Sequence, residues 1–218
     1  MSDKNVSDRP DKNGAVTQAV RDYKEFARAK RRAGNLQTAG EYYVAAARGN
    51  LMQYRRLPDD LTDSDDPPSP NAMKFGFAIK GLLLGALCFR IDGAYDRCHH
   101  HCKQGESIVT DLLIEPAFTM DARVGLCHEI CGDFRLIGDL GEYDEAYTMA
   151  ANRYTRVDND LGWSSESEFE DVIQIPLELA DSVEMGLDTE HRNRIMYTSL
   201  DDRIEYKKGT TLTSSMPS

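Results

Sequence analysis

A chain of 218 residues with 40% hydrophobic content is long enough to bury a core and too apolar to be wholly disordered, so it reads as one domain with tails. A net charge of -11 argues against general binding to nucleic-acid phosphates. Five cysteines, an odd number in a chain of this length, do not make a disulfide framework and point to a reducing interior.

Residues 1–15 (MSDKNVSDRPDKNGA) are polar and predict a disordered tail. The first stretch of the chain has no apolar segment of the signal-peptide kind, so a cytoplasmic location is expected. A helix is predicted from about Thr17 to Ala33, with Tyr23, Phe26 and Ala27 as its apolar stripe and Gly34-Asn35 as its end. Lys24, Arg28, Lys30, Arg31 and Arg32 make this helix basic within an acidic chain. Such a face is either solvated and paired with Asp22, Glu25 and Glu41, or a dock for an acidic partner segment. The second helix, about Leu36 to Gln53, turns Leu36, Ala39, Tyr42, Tyr43, Ala46 and Ala47 inward. Residues 59–70 (DDLTDSDDPPSP) are acidic and Pro-rich and predict a solvated loop.

The third helix is predicted from about Asn71 to Ile91. Its run from Phe75 to Phe89 (FGFAIKGLLLGALCF) contains Lys80 and falls short of the about 20 residues a membrane span needs. It reads as a buried central helix, with Gly76, Gly81, Gly85 and Ala86 allowing close approach of its neighbours. Asp92-Gly93 turns the chain. The fourth helix, about Ala94 to Leu113, stripes Tyr95, Cys98, Cys102, Gly105, Val109 and Leu112, and Glu115-Pro116 breaks it. The fifth, about Phe118 to Ile137, stripes Met120, Val124, Cys127, Cys131 and Phe134. Gly132-Asp133 and Gly138-Asp139 read as turn or helix-end chemistry. The sixth, about Glu142 to Arg156, carries Tyr143, Ala146, Ala150 and Tyr154. A loop with the single Trp163 follows, then a seventh helix from about Glu166, interrupted by Pro176. Residues 16–186 make the helical domain. Residues 187–218 make a partly disordered extension with one short helix or strand between about His191 and Tyr206. No segment shows strand alternation, so an all-α chain of about seven to eight helices is expected.

The sharpest chemical motifs are Cys98-His99-His100-His101-Cys102 and Cys127-His128-Glu129-Ile130-Cys131. Cysteines four apart share one face of a helix. If the two faces meet, Cys98, Cys102, Cys127 and Cys131 could hold zinc or an iron–sulfur cluster. The other reading is four small apolar side chains on packing stripes, or a redox pair. His99, His100 and His101 read as a largely solvated run with at least one exposed ring. Glu166, Glu168, Glu170 and Asp171 read as a solvated acidic cluster. No phosphate loop, H-E-x-x-H or G-x-S-x-G is present, so no catalytic residue and no cofactor are expected beyond the metal alternative.

One signature recurs along the chain: a turn glycine followed five residues later by a small residue, and by further small or apolar ones. It reads Gly34, Ala39, Tyr43, Ala46, then Gly93, Cys98, Cys102, Gly105, then Gly141, Ala146, Ala150. A helical stretch precedes each glycine, which makes stacked antiparallel helical hairpins. The pattern resembles the tetratricopeptide repeat, a helix-turn-helix unit. The match is best from Val20 to Ala46, where Ala27 takes the small position of the first helix. In the second unit Ala86 takes that position. In the third, Phe134 stands there and Arg153 takes the last position, a departure from the family. The glycines are also further apart than the family's repeat, as in its long-helix, soluble attachment-protein-like members. The resemblance implies an α-solenoid with a groove for a peptide or partner helix. The groove residues it points to are Tyr23, Lys24, Ala27, Lys30, Arg31 and Arg90. It implies no catalytic residue. A second resemblance lies in composition: 23 Asp against 14 Glu and 17 Arg against 9 Lys are similar to the acidic cytosolic proteins of haloarchaea.

The expected function is therefore a non-catalytic adaptor that binds an acidic protein or peptide partner, without membrane insertion and not directed at nucleic acid. The alternative is a metal-binding or redox-sensing helical protein.

Overall fold

The computed structural model describes residues 12–54, 70–113 and 121–156, together with Ile204, Glu205 and Lys207. Six helices run in chain order: α1 (Lys12–Arg32), α2 (Leu36–Tyr54), α3 (Pro70–Ile91), α4 (Tyr95–Leu112), α5 (Asp121–Gly138) and α6 (Tyr143–Tyr154). There is no strand among the described residues. The all-α expectation holds among the described residues, which contain six helices. The expected Trp163 loop, the seventh helix, the acidic cluster from Glu166 and most of the tail fall outside the described residues. α1 begins at Lys12, inside the segment expected to be disordered. α3 begins on Pro70, whose missing N–H costs nothing in a first helical turn.

Each helix packs chiefly on the helices before and after it, and α3 also reaches α5. The neighbours are antiparallel. An added Cβ at Gly81 would meet the Tyr43 carbonyl and Ala47 at 2.9 Å, while one at Gly85 would meet Val44 at 2.8 Å and the Gly40 carbonyl at 3.1 Å. The α2–α3 crossing is thus made at backbone distance, as the small residues of the third helix predict. α3 is the core: Ile79, Leu82, Leu83, Leu87 and Phe89 are all almost fully buried.

Two of the repeat glycines perform the same turn. Gly34 and Gly93 both sit at φ +77, in the left-handed region that glycine tolerates. In each, the N–H of the glycine bonds the carbonyl three residues back, and the next N–H bonds five residues back. These are Schellman ends, the common way to satisfy the last carbonyls of a helix. The third hairpin departs from this register. There Leu140 donates to Arg135 and Asp139 to Leu136, so the left-handed residue of the helix end is Asp139 at φ +52, while Gly141 at φ +76 takes a further left-handed position two residues on. Gly138 cannot serve because it is a packing residue: a Cβ there would lie 2.5 Å from Cys102 Cβ. Replacing Asp139 with glycine should stabilise the fold by about 1 kcal/mol, read as a higher urea midpoint with unchanged slope.

The stripe of α1 also differs from expectation. Val20 and Ala27 are buried, but Tyr23 is 38% and Phe26 52% exposed, stacked on Tyr42 at ring distances of 6.0 and 5.6 Å. Tyr95, expected on the stripe of α4, is 53% exposed. No described helix is long and apolar enough to cross a membrane.

Candidate functional site

The inward seam of α1 runs Val16, Val20, Lys24, Ala27, Arg31, at spacings of four, four, three and four. Two of these five positions hold cations. Lys24 and Arg31 are half-buried where apolar side chains are the rule. They open onto a cavity of about 590 Å³ lined by Lys24, Arg28, Arg31 and Arg32 of α1, Tyr43 and Ala46 of α2, and Phe77, Lys80, Gly81 and Leu84 of α3. Five of these ten side chains are cationic, and no carboxylate is among them. α1 and α3 both pack on α2, which forms the floor between them.

The positive field is dense enough to act on its own members. Burial, aided by Lys80, Lys74 and Arg28, pushes the Lys24 ammonium down to about 8. Its Nζ lies 3.9 Å from the centre of the Phe77 ring, a cation–π contact that partly replaces lost water. Tyr43 is hydrogen-bonded with Arg31, and burial raises its phenol against the pull of that guanidinium. Glu41 bonds Arg97 of α4 at 2.9 Å, and Asp22 accepts from Gln18 at 2.7 Å.

Of the groove residues expected from the sequence, Lys24 and Arg31 line the cavity. Ala27 is fully buried beneath it and presents nothing to a partner. Tyr23 belongs to the exposed aromatic group with Phe26 and Tyr42, and Lys30 is exposed on the helix outside the groove. Arg90 is half-buried and stands over the Tyr95 ring at 5.5 Å, away from the cavity. Arg28 and Arg32, named in the basic face of α1 but not as groove residues, also line it, and Tyr43, Ala46, Phe77, Lys80, Gly81 and Leu84 were missed. Lys80 was legible in principle, as the one charge inside the most apolar run of the chain.

A second polar cluster is buried on the far side of α5. Lys207 Nζ lies 2.8 and 2.9 Å from the two oxygens of Asp133 and 2.8 Å from Glu129 Oε1. Tyr147 donates to Asp133 at 2.7 Å and Tyr154 to Glu129 at 2.8 Å. Lys207 is 2% exposed, and Glu129, Asp133 and Tyr147 are fully buried. Asp133 is therefore a mid-helix member of an ionic cluster, not helix-end chemistry. Gly125 and Gly132 make the room, since a Cβ at either would strike Tyr154 or Tyr147 at 2.5 Å. Ile204 packs with Leu136, Tyr147, Ala150 and Tyr154 beside it. The cluster is closed to ligands and ties the C-terminal segment to the last hairpin.

All five cysteines are buried thiols. The two C-x3-C faces do lie on the packed α4–α5 side. Yet among the described residues no group of three or more His, Cys, Asp or Glu side chains is placed to hold a metal ion. The set Cys98, Cys102, Cys127 and Cys131 is not gathered at one point. Cys98 is turned to the Ile137 carbonyl at 3.2 Å, and Cys131 to the Thr110 hydroxyl at 3.9 Å. Gly105 and Phe134 fill the space between, a Cβ at Gly105 being 2.2 Å from that ring. Burial pushes Cys127 up to about 12 and Cys131 up to about 11, so neither is a thiolate at neutral pH. A hydrogen bond from Cys102 holds Cys98 below the ordinary thiol value. All five thiols are 5% exposed or less, so a disulfide-exchange reagent at neutral pH should modify them only on unfolding. Of the histidines, His101 is buried and stacked on Phe89 at 5.4 Å, His99 faces the Gly138 carbonyl at 3.1 Å, and His100 is exposed. The run is thus less solvated than expected.

No protein-family model matches the chain, and no curated protein or solved structure is significantly similar to it.

Proposed function

We propose that this protein is a non-catalytic interaction module whose groove between α1, α2 and α3 takes an acidic peptide or helix of a partner protein. One observation supports this above the rest: cations occupy the inward seam of α1, where they cost desolvation and repel one another. Half-buried cations facing a cavity without carboxylates are poor for stability and suited to an incoming anion. Two walls are the first helices of successive hairpins, which is where a tetratricopeptide-like repeat presents its ligand groove. The cavity, with Tyr43 and Phe77 among the cations, suits a segment with both charge and apolar surface. The Asp-rich, Lys-poor composition fits a haloarchaeal cytoplasm. There, long-range attraction is screened within a few ångströms, and only direct contacts hold a ligand.

The test is fluorescence anisotropy with a labelled Asp- and Glu-rich peptide and its Lys-substituted counterpart, in the lowest salt that preserves the fold. Binding of the acidic peptide alone, weakening steadily with salt, is the expected result. Equal binding of both, or of neither, would refute the proposal.

A further inference from the structure

We infer that the group recognised in the groove is a phosphomonoester carried on the partner segment, so that phosphorylation switches partner binding on. The inference rests on the reading of the groove as a peptide site.

Charge density is the first reason. Lys24, Arg28, Arg31, Arg32 and Lys80 line one cavity of about 590 Å³, and Lys74 adds to the field at Lys24. Carboxylates along a peptide bring one charge each, spread over about 3.3 Å of chain per residue. Delivering as much negative charge to one cavity that way requires several carboxylates to enter and desolvate together. A phosphomonoester brings close to two charges and three acceptor oxygens on one phosphorus. Donor type is the second reason. Three of the five cations are guanidinium groups, whose paired N–H donors bond two oxygens of one phosphate at once. The third reason is the lining between the charges. Ala46, Gly81 and Leu84 leave an apolar floor, and Tyr43 and Phe77 supply aromatic surface for the carbons of a side chain. Free phosphate makes no use of these. A long nucleic acid is disfavoured because the chain as a whole carries -11, so phosphates beyond the groove meet repulsion.

The chemistry also sets a pH window. The second proton of a phosphomonoester leaves near about pH 6. At the upper end Lys24 loses its proton at about 8, with Arg28, Arg31 and Arg32 of α1, Tyr43 of α2 and Lys80 of α3 lining the same cavity and Lys74 adding to the field. Affinity for the phosphopeptide is therefore greatest between these limits. A peptide that is acidic only through carboxylates keeps its charge well below the lower one.

The experiment uses the full chain and one short labelled Asp-containing peptide in three forms, with serine, glutamate or phosphoserine at its centre. A single-stranded DNA oligonucleotide serves as competitor. The phosphoserine form should bind about tenfold tighter than the glutamate form or better, with affinity falling on both sides of the pH window. Lys24→Met and Arg28→Gln, both at the groove rather than in the core, should erase that preference while circular dichroism stays native. Equal affinity of the glutamate and phosphoserine forms overturns the phosphate inference and leaves the acidic-peptide reading standing. If none of the three binds, both fall. If the oligonucleotide displaces the phosphopeptide at equal concentration, the groove is a general polyanion site and the inference is overturned.

Discussion

Replacing Lys207 with methionine is expected to lower the unfolding free energy by about 3–5 kcal/mol, because it strips a buried cation from two buried carboxylates. Glu129 and Asp133 would keep the neutral phenolic donors of Tyr154 and Tyr147 in place of a charge. That is too little to hold two negative charges away from water. The loss should depend on pH in a defined direction. Burial holds the Asp133 carboxyl up to about 6, Glu129 pushes the same way, and Lys207 and Tyr147 oppose. Its folded value lies above the unfolded value of 3.8, so the folded state takes up protons in between. The stability this group contributes is complete below about 3.8 and is lost as pH rises through about 6. Removing Lys207 takes away the charge that keeps the value from rising further. The variant should then sit closest to wild type at acidic pH and furthest from it at neutral and alkaline pH. Urea unfolding near pH 5 and near pH 8 checks this. An equal loss at both would mean that Lys207 acts through packing of the C-terminal segment alone. Replacing Lys207, Glu129 and Asp133 together by apolar residues of similar volume should recover most of the loss, as buried ion clusters generally allow.

The groove makes the opposite prediction. Lys24→Met keeps the apolar stem over Phe77 and deletes a charge held at about 8 by burial and by its cationic neighbours. For a lysine the folded value lies below the unfolded one. Its penalty is therefore present at neutral pH and relieved as pH rises from about 8 toward 10.5. Deleting the charge should leave stability unchanged or raise it by up to about 1 kcal/mol, the gain being limited by solvent screening. The same variant should weaken acidic-peptide binding about tenfold, and Arg28→Glu should weaken it further. Loss of binding together with gain of stability is the signature of a residue kept for a ligand. Thermal melts paired with anisotropy titrations decide it, and a Lys24→Met protein that is less stable and binds normally would show a structural residue instead.

Much of this fold is legible in one pass along the chain. The Schellman turns at Gly34 and Gly93, the striped faces of α4 and α5 and the small-residue seam of α3 follow from local rules. A residue's conformational freedom and the helical repeat both act within a few positions of chain. The same rules mislead where two demands fall on neighbouring residues. Gly138 does end α5, as expected, but it packs against Cys102, and the left-handed position falls on Asp139 rather than on a glycine.

What the sequence determined by itself is therefore the six described helices and, for most of them, the face each buries, though not where α1 begins. Tertiary structure decided which faces meet. Periodicity ranks the sides of one helix and says nothing about a residue dozens of positions away. Lys80 joins Lys24 because α1 and α3 flank α2. Lys207 becomes the counter-ion of Asp133 across a separation of 74 residues. Tyr23, apolar and well spaced, ends up 38% exposed, while Lys24 beside it turns inward. Burial of a charge depends on the field of everything packed around it, and that field exists only once the helices have assembled.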